Sequence, residues 1–241
     1  MRLIPRNLFP GALLAGLAAS PVAAQSAPKT AAIALDFRSL SPRRDSFAVI
    51  VQNVPLGWMR AVVERTAKGF TYTEDTEIGS LIEQHTVVEM GPSGEIRSVR
   101  QQGKVQGEPT TIALDYQGSR VKGSASTISP QGAKSVTIDT TIAAGTIDDN
   151  VLYALLSILD MKPGATWTFP VFSGSAGETM QMSLRVAGTD TVALGSGPVP
   201  AYRLELSGGP QPATFFVSTA TPRRLLKIAP AGAPVEILRV P

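Results

Sequence analysis

Apolar residues recur at every second position along much of this chain, and that alternation is what most limits the folds open to it. Phe47, Val49 and Val51 share one face of a run, and Val136, Ile138, Thr140 and Ile142 share another. Met180, Met182, Leu184 and Val186 alternate with Gln181, Ser183 and Arg185, and Tyr202, Leu204 and Leu206 alternate with Arg203, Glu205 and Ser207. Successive side chains of a strand point to opposite faces, so a period of two sets one face on a core and the other in water. Further runs at Gly57–Arg65, Phe70–Ile78, Leu81–Met90, Glu95–Val105, Thr110–Tyr116, Arg120–Ser126, Trp167–Val171, Phe215–Ser218, Arg224–Ile228 and Val235–Val240 are separated by turn residues such as Lys68-Gly69 and Gly91-Pro92-Ser93-Gly94. Such punctuation reads as hairpins. About a dozen strands are expected, in two blocks.

One segment has a different period. Val151, Leu152, Leu155, Leu156 and Leu159 share a face at a spacing near 3.6, behind Asp148-Asp149 and ahead of Lys162-Pro163-Gly164. An aspartate can accept from the free amides of a first helical turn, and Pro-Gly ends a helix. The spacing predicts one buried helix over residues 148–160. The fold class is therefore mainly β: a large antiparallel meander that curves into a half-barrel or barrel with this helix on its concave side or over one mouth, because so wide an open sheet curls or closes.

The N-terminus carries an address. Arg2 and Arg6 precede an apolar stretch, Leu8 to Ala19, and a small-residue exit at Val22-Ala23-Ala24. Those are the parts of a secretory signal peptide. Residues 1–24 are expected to be removed before Gln25, residues 25–45 to form a flexible lead-in with room for a short ordered piece at Ala32–Leu40, and residues 46–241 to fold as a single β domain in the periplasm. The apolar run is shorter than the ~20 residues a spanning helix needs, so stable membrane insertion is not expected.

Charge and composition exclude several functions. The chain has 22 basic and 19 acidic residues, and losing Arg2 and Arg6 leaves 20 − 19 = +1. Its charges are interspersed, whereas nucleic-acid binding calls for a clustered basic surface. The pairs Arg43-Arg44 and Arg223-Arg224 read as solvated strand ends. With no cysteine there is neither a disulfide framework nor a thiol nucleophile. His85 is the only histidine, so a Ser-His-Asp triad would have to use it. Glu83, His85 and Glu89 share a strand face, which reads as a polar face and not as a metal site. Ser173-Gly174-Ser175-Ala176-Gly177 misses the nucleophile-elbow spacing, and Ser119-Arg120-Val121-Lys122 lies in a strand-turn context where an S-x-x-K serine needs a helix start. Ile138-Asp139-Thr140-Thr141 lacks the glycine of an aspartic protease loop, and Glu74, Asp75 and Glu77 read as exposed acids. No catalytic residue, metal or cofactor is expected.

Large apolar side chains remain. Trp58, Phe70, Leu152, Leu156, Trp167, Phe169, Met180 and Met182 are the candidate ligand-binding residues, because wide β-structures leave apolar interiors and methionine adapts to irregular ligands.

The order of features in the C-terminal half resembles the exported proteins of the DUF3108 type. It runs from Leu155-Leu156-Ser157-Ile158-Leu159 through Met161-Lys162-Pro163-Gly164 and Trp167 to Gly197-Pro198-Val199-Pro200-Ala201-Tyr202, then to Phe216-Val217-Ser218 and Thr221-Pro222-Arg223-Arg224-Leu225-Leu226-Lys227. In those proteins a helix leads to a Pro-Gly step, a strand pair turns through small residues, and a basic strand ends the domain. The resemblance spans residues 46–240 and is clearest over 148–228; either Phe215 or Phe216 fills the aromatic position near its end. It implies an envelope protein with a curved antiparallel sheet, somewhat like lipoprotein carriers, and supplies no catalytic residues. The expected function is binding or carriage of a hydrophobic, lipid-like ligand. The alternatives are an envelope interaction protein that meets another envelope protein through its strand edges, and a hydrolase with carboxylates that no local motif reveals.

Overall fold

The computed structural model describes Ile33 and residues 35–129 and 132–240. The expected signal segment, 1–24, and residues 25–32 of the expected lead-in lie outside the described residues. The chain first builds eight strands: β1 (Arg43–Val51), β2 (Val54–Thr66), β3 (Gly69–Ile78), β4 (Ile82–Met90), β5 (Ile96–Val105), β6 (Glu108–Gln117), β7 (Arg120–Ser129) and β8 (Gly132–Thr141). After a link, 142–146, come β9 (Ile147–Asp148), a helical segment, and β10 (Thr166–Ser173), β11 (Glu178–Leu194), β12 (Gly197–Ser207), β13 (Ala213–Ser218), β14 (Leu225–Pro230) and β15 (Val235–Val240). Every run singled out in the sequence falls on a strand, with Leu81, Glu95, Ile142 and Arg224 one residue outside; the two-residue β9 had no run to announce it.

All fifteen strands form one sheet, in the order β8-β7-β6-β5-β4-β3-β2-β1-β15-β14-β13-β12-β11-β10-β9. The two arms meet where β1 pairs with β15, from Ser46↔Val240 to Val51↔Val235. Neighbours are antiparallel except β9, which runs parallel to β10. Laid flat at about 4.8 Å per strand, the outermost strands would stand about 67 Å apart. Yet β8 and β9 are joined by residues 142–146 alone, which span at most about 20 Å. The sheet must therefore roll up until its two edges approach. The turn after β10 reaches across that gap: a Cβ on Gly174 would lie 2.9 Å from Leu114 Cδ1, and one on Gly177 3.2 Å from Ile138 Cγ1. A Cβ at either position would press on the inner side chains of β6 or β8, and Gly177 also has φ +74°, a conformation that favours glycine.

Parallel strands need a crossover, and here it runs back through the concave interior. It comprises a 3-10 turn (Asp149–Val151), one α-turn (α1, Leu152–Leu155) and a second 3-10 turn (Leu156–Ile158). The segment is ten residues long and not the continuous helix 148–160. Leu159 is already extended, at ψ 140°, and its carbonyl accepts from Arg223 Nη1 at 2.6 Å. At the other end Asp148 accepts from the Asn150 amide at 2.9 Å, as a capping aspartate should. Val151, Leu152, Ala154, Leu155, Leu156, Ile158 and Leu159 are all buried.

Two features depart from the sequence reading. β1 already begins at Arg43, inside the expected lead-in, just after the fully buried Leu40 that ends the short ordered piece. The arginine pairs also divide. Arg44 is solvated, but the Arg43 side chain is only 7% exposed and its Nε lies 3.2 Å from Asp45, itself 5% exposed. Arg224 and Arg239 reach the same carboxylate at 3.2 Å. β1 turns Asp45 inward with Phe47 and Val49, so this cluster fastens β1 to β14 and β15 across the junction of the arms.

Candidate functional site

The turns β2–β3, β4–β5 and β6–β7 gather at one end of the rolled sheet, with the link 142–146 beside them; the turns β1–β2, β3–β4 and β5–β6 gather at the other. A cavity of about 650 Å³ opens at the first end. Val151 and Leu155 of the helical segment form its floor, and Leu35, Phe37, Ile96, Tyr116, Ile142 and Ile147 its walls. Its rim carries the pair Arg97–Glu95, at 3.5 Å.

A smaller cavity, about 240 Å³, lies on the opposite side of the helical segment in the C-terminal arm. Leu152, Met180 and Met182 line it together with Tyr153, Phe215 and Ile237. Of the other candidates, Trp58 lines a separate cavity of about 440 Å³, a polar one shared with Asp75, Glu77 and His85. Phe70, Leu156, Trp167 and Phe169 are packed into the core. Trp58 faces outward, 40% exposed, with its Nε1 donating to Glu77 at 3.2 Å. Its near neighbours Val54, Leu56 and Leu81 are exposed too. The larger cavity was not foreseen, because Leu35, Ile96 and Ile142 come from three loops or strand ends whose proximity depends on the rolled sheet.

The interior also holds acids. Glu74 shares the inner face of β3 with Phe70 and Tyr72, accepts the Tyr72 hydroxyl, and has its pKa raised by burial. The expectation of an exposed acid fails here because residues two apart on a strand share a face. Asp148 is 1% exposed and accepts from the Tyr116 hydroxyl and from Asn150; burial raises its pKa. Asp149 accepts from Ser173, from the Gly174 amide and from Asn150. Burial, and then the charge of Asp148, push its pKa up to about 7. Burial and the nearby Glu74 and Asp149 also raise that of Tyr153. Asp148 and Asp149 are adjacent and bound into the start of the helical segment, so they do not flank a cleft as a glycosidase pair must.

On the outer face, His85 Nδ1 lies 2.6 Å from Asp75 Oδ1. Among the described residues no three His, Asp or Glu side chains converge as metal ligands.

The family model for a protein of unknown function, DUF3108, matches residues 93–237, more than half of the chain. The chain belongs to this family. No curated protein matches it. A crystal structure of a β-barrel-like protein of another domain of unknown function, DUF1849, from Brucella abortus is similar at a TM-score of 0.47 and 12% identity, covering 87% of this chain and 97% of that one.

What this DUF3108 domain offers chemically is enclosure. Its 650 Å³ cavity is walled mainly by carbon, its interior acids are tied to tyrosine, asparagine, serine and backbone, and no helix among the described residues is long and apolar enough to cross a membrane.

Proposed function

We propose that the protein binds an apolar, lipid-like ligand without catalysis, as an exported binding or carrier module of the cell envelope. The observation that carries this reading is the 650 Å³ cavity over Val151 and Leu155, which falls within the roughly 300–1,000 Å³ of small-molecule sites. Export is supported by the basic start, the apolar stretch and the small-residue exit of residues 1–24. The strand-edge alternative has less behind it. Edge strand β8 carries the exposed charges Lys134 and Asp139, one on each face, which discourage pairing with a second chain, and edge strand β9 has two residues.

The test is native mass spectrometry of the protein recovered from a bacterial periplasm without detergent, with organic extraction of what accompanies it. A stoichiometric apolar adduct, lost in Ile142→Arg while the thermal midpoint holds, is the expected result. A ligand-free mass together with no uptake of a fluorescent acyl probe would overturn the reading, and absence from the periplasm would overturn its export.

A further inference from the structure

Another cavity, of about 320 Å³, lies inside the N-terminal arm at the end opposite the 650 Å³ one, and its chemistry is different. Gln84, Gln101, Thr110, Thr127, Asn150 and Ser175 supply amides and hydroxyls around it, and Asp149 is its only ionisable lining group. Thr110 is 2% exposed, and its hydroxyl, which water does not reach, has no hydrogen-bond partner among the described residues; the groups open to a ligand are therefore the other amides and hydroxyls of the lining. Gln101 uses its carbonyl oxygen to accept from Thr86 at 3.3 Å, which leaves its amide nitrogen to donate.

We infer that this cavity binds an uncharged, hydroxyl-rich group, in chemical terms a saccharide unit. Amides and hydroxyls both donate and accept, as a ring of hydroxyls requires. No lysine, arginine or histidine lines the cavity to hold a phosphate or carboxylate, and Asp149 would repel either when ionised. Val105, Ile112 and Ile128 give the remaining wall an apolar surface on which the C–H face of a sugar can rest. The site is independent of the apolar ligand proposed above, and the two are separable by mutation.

The test is saturation-transfer difference NMR on the purified protein with glucose, galactose and N-acetylglucosamine, each to about 10 mM, enough to detect even a Kd near 1 mM. Inorganic phosphate serves as the contrasting probe. Transfer to at least one sugar is expected, and phosphate should not compete. Gln84→Leu should weaken that sugar about three- to tenfold, the effect of one hydrogen bond, while the thermal midpoint holds. Gln101→Leu should weaken it comparably and serves in place of Gln84→Leu if that variant does not fold. Ile142→Arg should leave sugar binding unchanged, so the failure of one site does not count against the other. No transfer to any sugar, transfer indifferent to both cavity variants, or competition by phosphate would overturn the inference.

Discussion

Replacing Asp45 by Asn tests whether the junction between the arms depends on one carboxylate. Asp45 is 5% exposed and faces three guanidinium groups, each at 3.2 Å. Arg43 is the one that matters most, because its side chain is 7% exposed and burial already lowers its pKa. Arg224 and Arg239 are 29% and 28% exposed, so water screens part of their charge. Asparagine keeps the shape but leaves three positive groups with no counter-charge at the seam. Removing one partner of a buried ion pair costs about 3–5 kcal/mol. For a domain of this size that corresponds to a fall in thermal midpoint of about 6–20 °C. Urea unfolding, followed by the fluorescence of Trp58 and Trp167, reads the loss. Two companions sharpen it. Arg43→Met in the Asp45→Asn background should recover part of the stability by removing the buried unpaired charge. Arg44→Ala on the same strand, whose partner Glu64 is also solvated, should change stability by less than about 0.5 kcal/mol. If Asp45→Asn cost no more than Arg44→Ala, the cluster would not hold the arms together and the argument from burial would be wrong.

Two further expectations concern the interior. The Asp149 carboxyl, raised to about 7 in the folded protein, holds a proton that the unfolded chain gives up near pH 4. The folded state thus binds more protons between those values, and this group's contribution to stability is full below about pH 4 and is lost as the pH rises through about 7. Urea midpoints at pH 5 and pH 8 should therefore differ less in Asp149→Asn than in the parent, and equal differences would refute the assignment. Gly177→Ala should cost more than Gly145→Ala, since both glycines have positive φ but only Gly177 has Ile138 within 3.2 Å of the added carbon. The shared backbone penalty is about 1–2 kcal/mol, and the excess measured by denaturant unfolding reports the contact across the gap between the edges; no excess would mean that the turn is free to move aside.

The strands were legible because alternation is a local property. Met182, Leu184 and Val186 declare an inner face within seven residues, and the structure buries all three. The same rule, applied to parity, would have placed two residues that were misread. Glu74 is in phase with Phe70 and Tyr72 and so faces inward, while Trp58 is in phase with Arg60 and Glu64 and so faces out. The helical segment was legible from its spacing and its capping aspartate, but not where it ends, because Arg223 fixes the Leu159 carbonyl from 64 residues away. Asp45 meets Arg224 and Arg239 over 179 and 194 residues, separations at which sequence carries no pattern. The 650 Å³ and 320 Å³ cavities went unread for the same reason. Their linings are brought together by the rolling of the sheet and by the crossover within it.

The pairing of β1 with β15 has a consequence for how the chain is made. Synthesis runs from the N-terminus, so β1 through β8 can zip into a ribbon of hairpins while residues 235–240 do not yet exist. Throughout that interval β1 is an open edge, although in the finished sheet it is flanked on both sides. Its outer partner is the last strand to appear, and the sheet's most central hydrogen bonds are the last that the growing chain can form. Until then the unfinished ribbon shows raw backbone at both margins, the surface on which nascent β-rich chains recruit one another.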